Sequence, residues 1–117
     1  MSRFDEEMNK YRAQMGEILG DATYQDGWLQ REAERLGPNI YDADASLVSC
    51  SDQAELDRVA KAFLKRFEGI DADKVDQAIT SVCALMSGVK RKYRAVFYYL
   101  VTVQLGWIEE ESQNKGA

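Results

Sequence analysis

The sequence of 117 residues contains no histidine, one proline and two cysteines. Histidine is the commonest general base, the commonest metal ligand and the usual proton sensor near neutral pH, so its absence counts against most acid–base enzymes and metal centres. Cys50 and Cys83 form no Cys-x-x-Cys motif, and the opening residues MSRFDEEMNK lack the apolar core of a signal peptide. We therefore expect a cytoplasmic protein with reduced thiols, in which a disulfide between the two cysteines is disfavoured.

Basic residues are outnumbered by acidic ones, 15 to 20, which gives a net charge of −5. Long-range repulsion makes nucleic acid and anionic membranes unfavourable as partners, although a local basic patch is still allowed. No apolar run approaches the roughly 18 residues of a membrane span. We therefore expect no membrane association.

What the sequence does contain is typical of a globular protein, with 45% apolar and 30% charged residues. A chain of this length fits one domain and buries enough surface to fold without metals or disulfides. We predict a compact single domain over residues 1–117, with residues 107–117 as a flexible tail.

The most apolar stretch is KYRAVFYYLVTVQL, residues 92–105. Tyr93, Val96, Phe97, Leu100 and Val103 recur at helical spacing, which predicts a buried helix from about residue 90 to residue 105. The β-branched and aromatic residues of 96–103 would also suit a buried strand. No second run offers a partner for such a strand, so we favour the helix.

Five further segments carry helical signals. Ser2 is a predicted N-cap for a helix over residues 3–19, which ends at Gly20. Thr23 and Asp26 suggest a capping box for a helix that stops at Gly37-Pro38. Residues 39–50 suggest a short helix or two turns. Ser51 is a predicted cap for the next helix, and Asp71 or Asp73 for the one that precedes Gly88. The predicted fold is therefore all-α, a bundle of five or six helices around the last one.

Two segments, LGPNIYDADASLVSCSD (residues 36–52) and KYRAVFYYL (residues 92–100), resemble a family of small bacterial proteins of unknown function. We call them the first and second signature segments. The resemblance implies a compact single domain of bacterial origin. It implies no activity and supplies no functional residues.

Several residues that could carry chemistry have simpler interpretations. Asp42-x-Asp44-x-Ser46 begins like a calcium loop, but Leu47 and Gln53 stand where a glycine and a bidentate glutamate are needed. We interpret Asp42 and Asp44 as acceptors for backbone N–H groups in a turn. The aromatic residues Tyr41, Tyr93, Tyr98 and Tyr99 suit core packing better than a stacking platform. Cys83 is interpreted as a small core residue, and thiol catalysis by Cys50 is disfavoured without a histidine.

A basic cluster at residues 90–94 is the candidate site. Cations at a helix start oppose the helix dipole, while the free N–H groups there favour anions. We predict a site for a small anion formed by Ser87, Gly88, Lys90, Arg91 and Arg94. The alternatives are pairing of the cations with carboxylates such as Asp42 or Asp44, or simple solvation.

These observations favour a non-enzymatic cytoplasmic module that binds a protein partner or a second copy of itself. The alternative is a regulator that binds a small anion or nucleic acid through residues 90–94. We predict no catalytic residue, no cofactor and no metal ligand.

Overall fold

The fold is mostly helical. The computed structural model describes residues 2–106. In chain order it contains α1 (Arg3–Leu19), α2 (Asp26–Leu36), a 3-10 helix (Gly37–Tyr41), β1 (Leu47–Val48), α3 (Gln53–Arg66), α4 (Ala72–Leu85), β2 (Lys92–Tyr93) and α5 (Arg94–Gln104). The all-α prediction is confirmed, and the predicted tail at 107–117 lies outside the described residues. None of the helices over residues 2–106 has the length and apolarity needed to cross a membrane.

Local signals determine α1. The Ser2 hydroxyl accepts a hydrogen bond from the Asp5 backbone N–H at 3.1 Å, as an N-cap should. Gly20 ends the helix with φ +61°, a conformation that glycine adopts without a Cβ penalty. Both predicted ends of this helix are confirmed.

Two predicted caps are wrong. α2 begins at Asp26, beyond the predicted cap Thr23, and its N-cap residue Gln25 makes no side-chain cap bond. The Asp26 carboxylate binds the Arg12 guanidinium at 2.9 and 3.1 Å. α3 is capped by Asp52, whose carboxylate accepts hydrogen bonds from two backbone N–H groups, while the Ser51 hydroxyl bonds to that of Ser49. At α4 the first of the two predicted caps, Asp71, is the one observed.

The backbone contacts divide the chain into two units. The first comprises residues 2–48 together with Arg91–Tyr99, and the second comprises Ser49–Lys90 together with residues 100–106. α5 thus contributes its first half to one unit and its second half to the other.

Each unit has its own buried apolar residues. In the first unit these include Met8, Tyr11, Met15, Leu29, Ala33, Val96 and Phe97. In the second, where α3 packs against α4, they include Val59, Phe63, Val75, Ile79, Val82 and Met86. Most of α5 is buried, but Val103, which we placed on its buried stripe, is 41% exposed.

The last helix begins four residues later than predicted, at Arg94. Lys92 and Tyr93 form β2, which pairs antiparallel with β1 in the register Leu47 to Tyr93 and Val48 to Lys92. The expectation that no segment could pair with this region is therefore wrong for these two residues, although residues 96–103 are helical as predicted.

Candidate functional site

The two signature segments meet in the first unit, where β1 of the first segment pairs with β2 of the second. Arg94 strengthens this junction. Its backbone N–H donates to the Ser46 carbonyl at 2.7 Å, and its guanidinium donates to the carbonyls of Ala45 at 2.7 Å and Leu47 at 2.9 Å. One arginine therefore fixes the turn that precedes β1, and charge-assisted hydrogen bonds of this kind are stronger than neutral ones.

Gln14 of α1 supports the same junction from the other side. Its side-chain amide donates to the Arg91 carbonyl at 2.6 Å and accepts from the Tyr93 N–H at 3.1 Å. The side chain is almost fully buried, at 4% exposure. We missed this role, although a signal was present: Gln14 is a polar residue at an inward position, between Tyr11, Met15 and Ile18.

A cleft opens beside this junction, with a volume of about 380 Å³. It lies between the first half of α1, the end of the 3-10 helix with the turn after it, and the residues around β2; we call it the signature cleft. Its charged lining residues are Arg3, Lys10, Arg91, Glu6, Glu7 and Asp42. Among the residues that the structure describes, the cleft thus has three charged residues of each sign.

Two of the carboxylates in this cleft have partners. Lys10 Nζ lies 2.8 Å from Glu7 Oε2. Hydrogen bonding to Glu7 raises the pKa of Lys10, while nearby Arg91 acts in the opposite direction. Asp42 accepts hydrogen bonds from the N–H groups of Asp44 and Ala45, both at 2.8 Å, and these bonds lower the pKa of Asp42. The interpretation of Asp42 as a turn residue is confirmed.

Arg3 is held differently. Its guanidinium carbon lies 4.4 Å from the centroid of the Tyr41 ring, a cation–π contact. A cation–π contact uses the charge of the guanidinium and none of its hydrogen-bond donors, so these N–H groups are available to a ligand.

A comparison with known protein families identifies the chain. The family described as "Protein of unknown function (DUF2853)" matches residues 5–109. The chain belongs to this family. The predicted resemblance to a family of unknown function is confirmed at that level, while the bacterial origin stays a prediction. No curated protein and no solved structure matches the chain.

The predicted anion ligands of this DUF2853 protein are divided between the two units. Ser87, Gly88 and Lys90 belong to the second unit, and Arg91 and Arg94 to the first. The prediction depended on a helix that begins at about residue 90, whereas α5 begins at Arg94. The N–H groups of Tyr93 and Arg94 donate to Gln14 and Ser46. The five-residue anion site stays a prediction, with Arg94 engaged by backbone carbonyls and Arg91 in the signature cleft.

The cysteines of the DUF2853 chain are joined. Cys50 and Cys83 form a disulfide, with their Cα atoms 5.8 Å apart, within the usual range for such bonds. The expectation of reduced thiols is therefore wrong, and Cys50 has no free thiol for nucleophilic chemistry. No local pattern indicates this bond, because the residues are 33 positions apart and are brought together by the packing of α3 and α4.

A second depression lies in the second unit. It has a volume of about 440 Å³ and is lined by Ile70, Lys74, Gln77, Ala78, Ser81, Gln104 and Leu105. We call it the α4–α5 groove. Two other exposed apolar residues of these helices are Leu85, 42% exposed, and Val103, 41% exposed. Within residues 2–106, no group of three or more acidic or cysteine side chains is arranged to hold a metal ion.

Proposed function

We propose that this DUF2853 protein is a non-enzymatic interaction module that associates with a second copy of itself through the α4–α5 groove. The observation that carries the proposal is the composition of this groove. Of its seven lining residues among those described, Lys74 alone is charged, whereas 30% of the whole chain is charged. Interface cores are depleted of charge in the same way.

The net charge of the chain favours a surface with few charges as the site of self-association. Two copies of a chain with a net charge of −5 repel each other at long range. In a two-fold symmetric dimer the same surface patch of each copy contacts its counterpart on the other copy. A patch whose charges are of one sign therefore brings like charges close together. A groove with one lysine among its lining residues avoids most of that cost.

Leu85 of α4 and Val103 of α5 are exposed apolar residues on the two helices that form the groove. Both side chains are more than one-third exposed. Removing such area from water contributes about 25 cal/mol per Å². The driving force for association would come from these leucine and valine side chains and from Ile70 and Leu105 in the groove.

Sedimentation velocity on the full chain, from about 5 µM to about 1 mM, tests the proposal. The weight-average mass should rise from that of a monomer towards that of a dimer. Ser81→Glu places a carboxylate in the groove and should weaken association by at least about tenfold through like-charge repulsion and desolvation. Thr80→Glu is the matched control, because Thr80 is exposed on the same helix but does not line the groove.

A monomeric mass at every concentration would overturn the proposal. Equal weakening by both variants would also overturn it, because the loss would then follow from net charge and not from the groove.

A further inference from the structure

The signature cleft contains charged groups that the fold does not use. Lys10 and Glu7 neutralise each other, and Asp42 is committed to two backbone N–H groups. Among residues 2–106, the side chains of Arg91 and Glu6 form no hydrogen bond or ion pair with another residue, and that of Arg3 makes only its cation–π contact with Tyr41. Two cations and one carboxylate are therefore available to a ligand.

The placement of these groups favours a ligand that carries both signs. Arg3 and Glu6 are three residues apart on α1, so they are neighbours on one face of the helix, about 5–6 Å apart at Cβ. Because the described lining of the cleft has three charged residues of each sign, a simple ion gains little net Coulomb attraction there. A molecule with a separated carboxylate and ammonium can satisfy each group locally.

We propose that the signature cleft binds a small zwitterion of the α-amino acid type, with Arg3 and Arg91 holding its carboxylate and Glu6 holding its ammonium group. Guanidinium groups suit carboxylates because their N–H donors match the two oxygens. The cleft volume of about 380 Å³ is within the range of small-molecule sites. The proposal is independent of self-association, since every residue in it belongs to the first unit.

The junction of the signature segments gives this cleft a fixed shape. Gln14 holds the backbone of Arg91 and Tyr93, and Arg94 holds the turn that includes Ser46. The turn from the first signature segment and the strand from the second are thus both anchored by part-buried hydrogen bonds. A preorganised site loses less conformational entropy when it binds.

The test uses L-alanine with two analogues that each lack one charged group, propionate and ethylamine. Each is titrated into the isotope-labelled full chain at low salt, up to about 20 mM, and backbone amide shifts are followed. L-alanine should shift amides near residues 3–10, 41–46 and 91–93. Propionate and ethylamine should bind at least about tenfold more weakly, because each leaves one protein charge without its partner.

Variants assign the roles. Arg91→Gln and Glu6→Gln should each weaken L-alanine binding by at least about tenfold. The matched controls are Arg31→Gln and Glu17→Gln, which make the same changes at exposed positions outside the cleft and should leave affinity unchanged. Circular dichroism verifies that each variant is folded.

Three results would overturn the inference. The first is the absence of any shift with L-alanine. The second is binding that is insensitive to both cleft variants. The third is propionate binding as tightly as L-alanine together with tighter binding by Glu6→Gln, which would indicate a simple anion site.

Discussion

Removing the disulfide should cost this protein a large part of its stability. The perturbation is the double substitution Cys50→Ser and Cys83→Ser, which deletes the cross-link while keeping side chains of similar size. In the native state the bond joins the segment before α3 to the last turn of α4. In the unfolded state it closes a loop between residues 33 positions apart.

The magnitude follows from the length of that loop. In the chain-entropy treatment, a cross-link that closes such a loop removes unfolded-state entropy worth about 3.7 kcal/mol at room temperature. Small domains are stable by only about 5–15 kcal/mol, so the variant should unfold at a much lower denaturant concentration. The denaturant dependence should also become steeper, because the unfolded chain without its cross-link exposes more surface.

Urea unfolding followed by far-ultraviolet circular dichroism measures this difference. Three samples are compared: the oxidised protein, the same protein with a thiol reductant, and the double serine variant. The reduced protein and the variant should agree with each other and lie about 3–4 kcal/mol below the oxidised protein. A thiol titration of the unfolded, unreduced protein should find no free thiol. Two free thiols, or a loss below about 1 kcal/mol, would refute the reasoning.

Three further substitutions test the signature junction and the turn beside it. Arg94→Ala leaves the backbone carbonyls of Ala45 and Leu47 without their donor. The free energy of unfolding, measured with urea, should fall by about 3 kcal/mol. An undiminished stability would contradict the role given to this arginine. Gln14→Glu replaces the donor to the Arg91 carbonyl with a buried carboxylate. The free energy of unfolding should fall by more than about 2 kcal/mol at neutral pH, and this loss should shrink in acid as the carboxyl becomes protonated. A loss independent of pH would contradict the role given to Gln14. Asp42 has a folded-state pKa below its unfolded value of 3.8, so its contribution is present above that pH and is lost as the pH falls through the lower folded value. Melting temperatures measured from about pH 6 to about pH 2 should therefore fall less steeply in Asp42→Asn than in the wild type, and identical profiles would contradict the assignment.

The sequence predicted different parts of the two candidate sites, the α4–α5 groove and the signature cleft. For the α4–α5 groove, α4 was predicted from its cap at Asp71 or Asp73 and from Gly88 beyond its end, but the exposure of Leu85 and Val103 depends on which neighbours cover them. For the signature cleft, the two segments were recognised as distinctive and Arg91 was selected as a ligand. Its partners Arg3 and Glu6 were not selected, because nothing local relates the start of the chain to residue 91.

The sequence by itself determined what local chemistry controls. A hydroxyl at Ser2, a glycine at residue 20 and an apolar spacing of three and four residues suffice to define α1, since capping and helical periodicity act within a few residues. The tertiary structure decided what depends on residues far apart in the chain. α5 begins at Arg94 because β1 pairs with the two residues before it, and the cysteines are bonded because α3 and α4 pack together. Such contacts form only when the gain from burial and hydrogen bonding exceeds the entropy of closing the intervening loops, and that balance is a property of the whole fold.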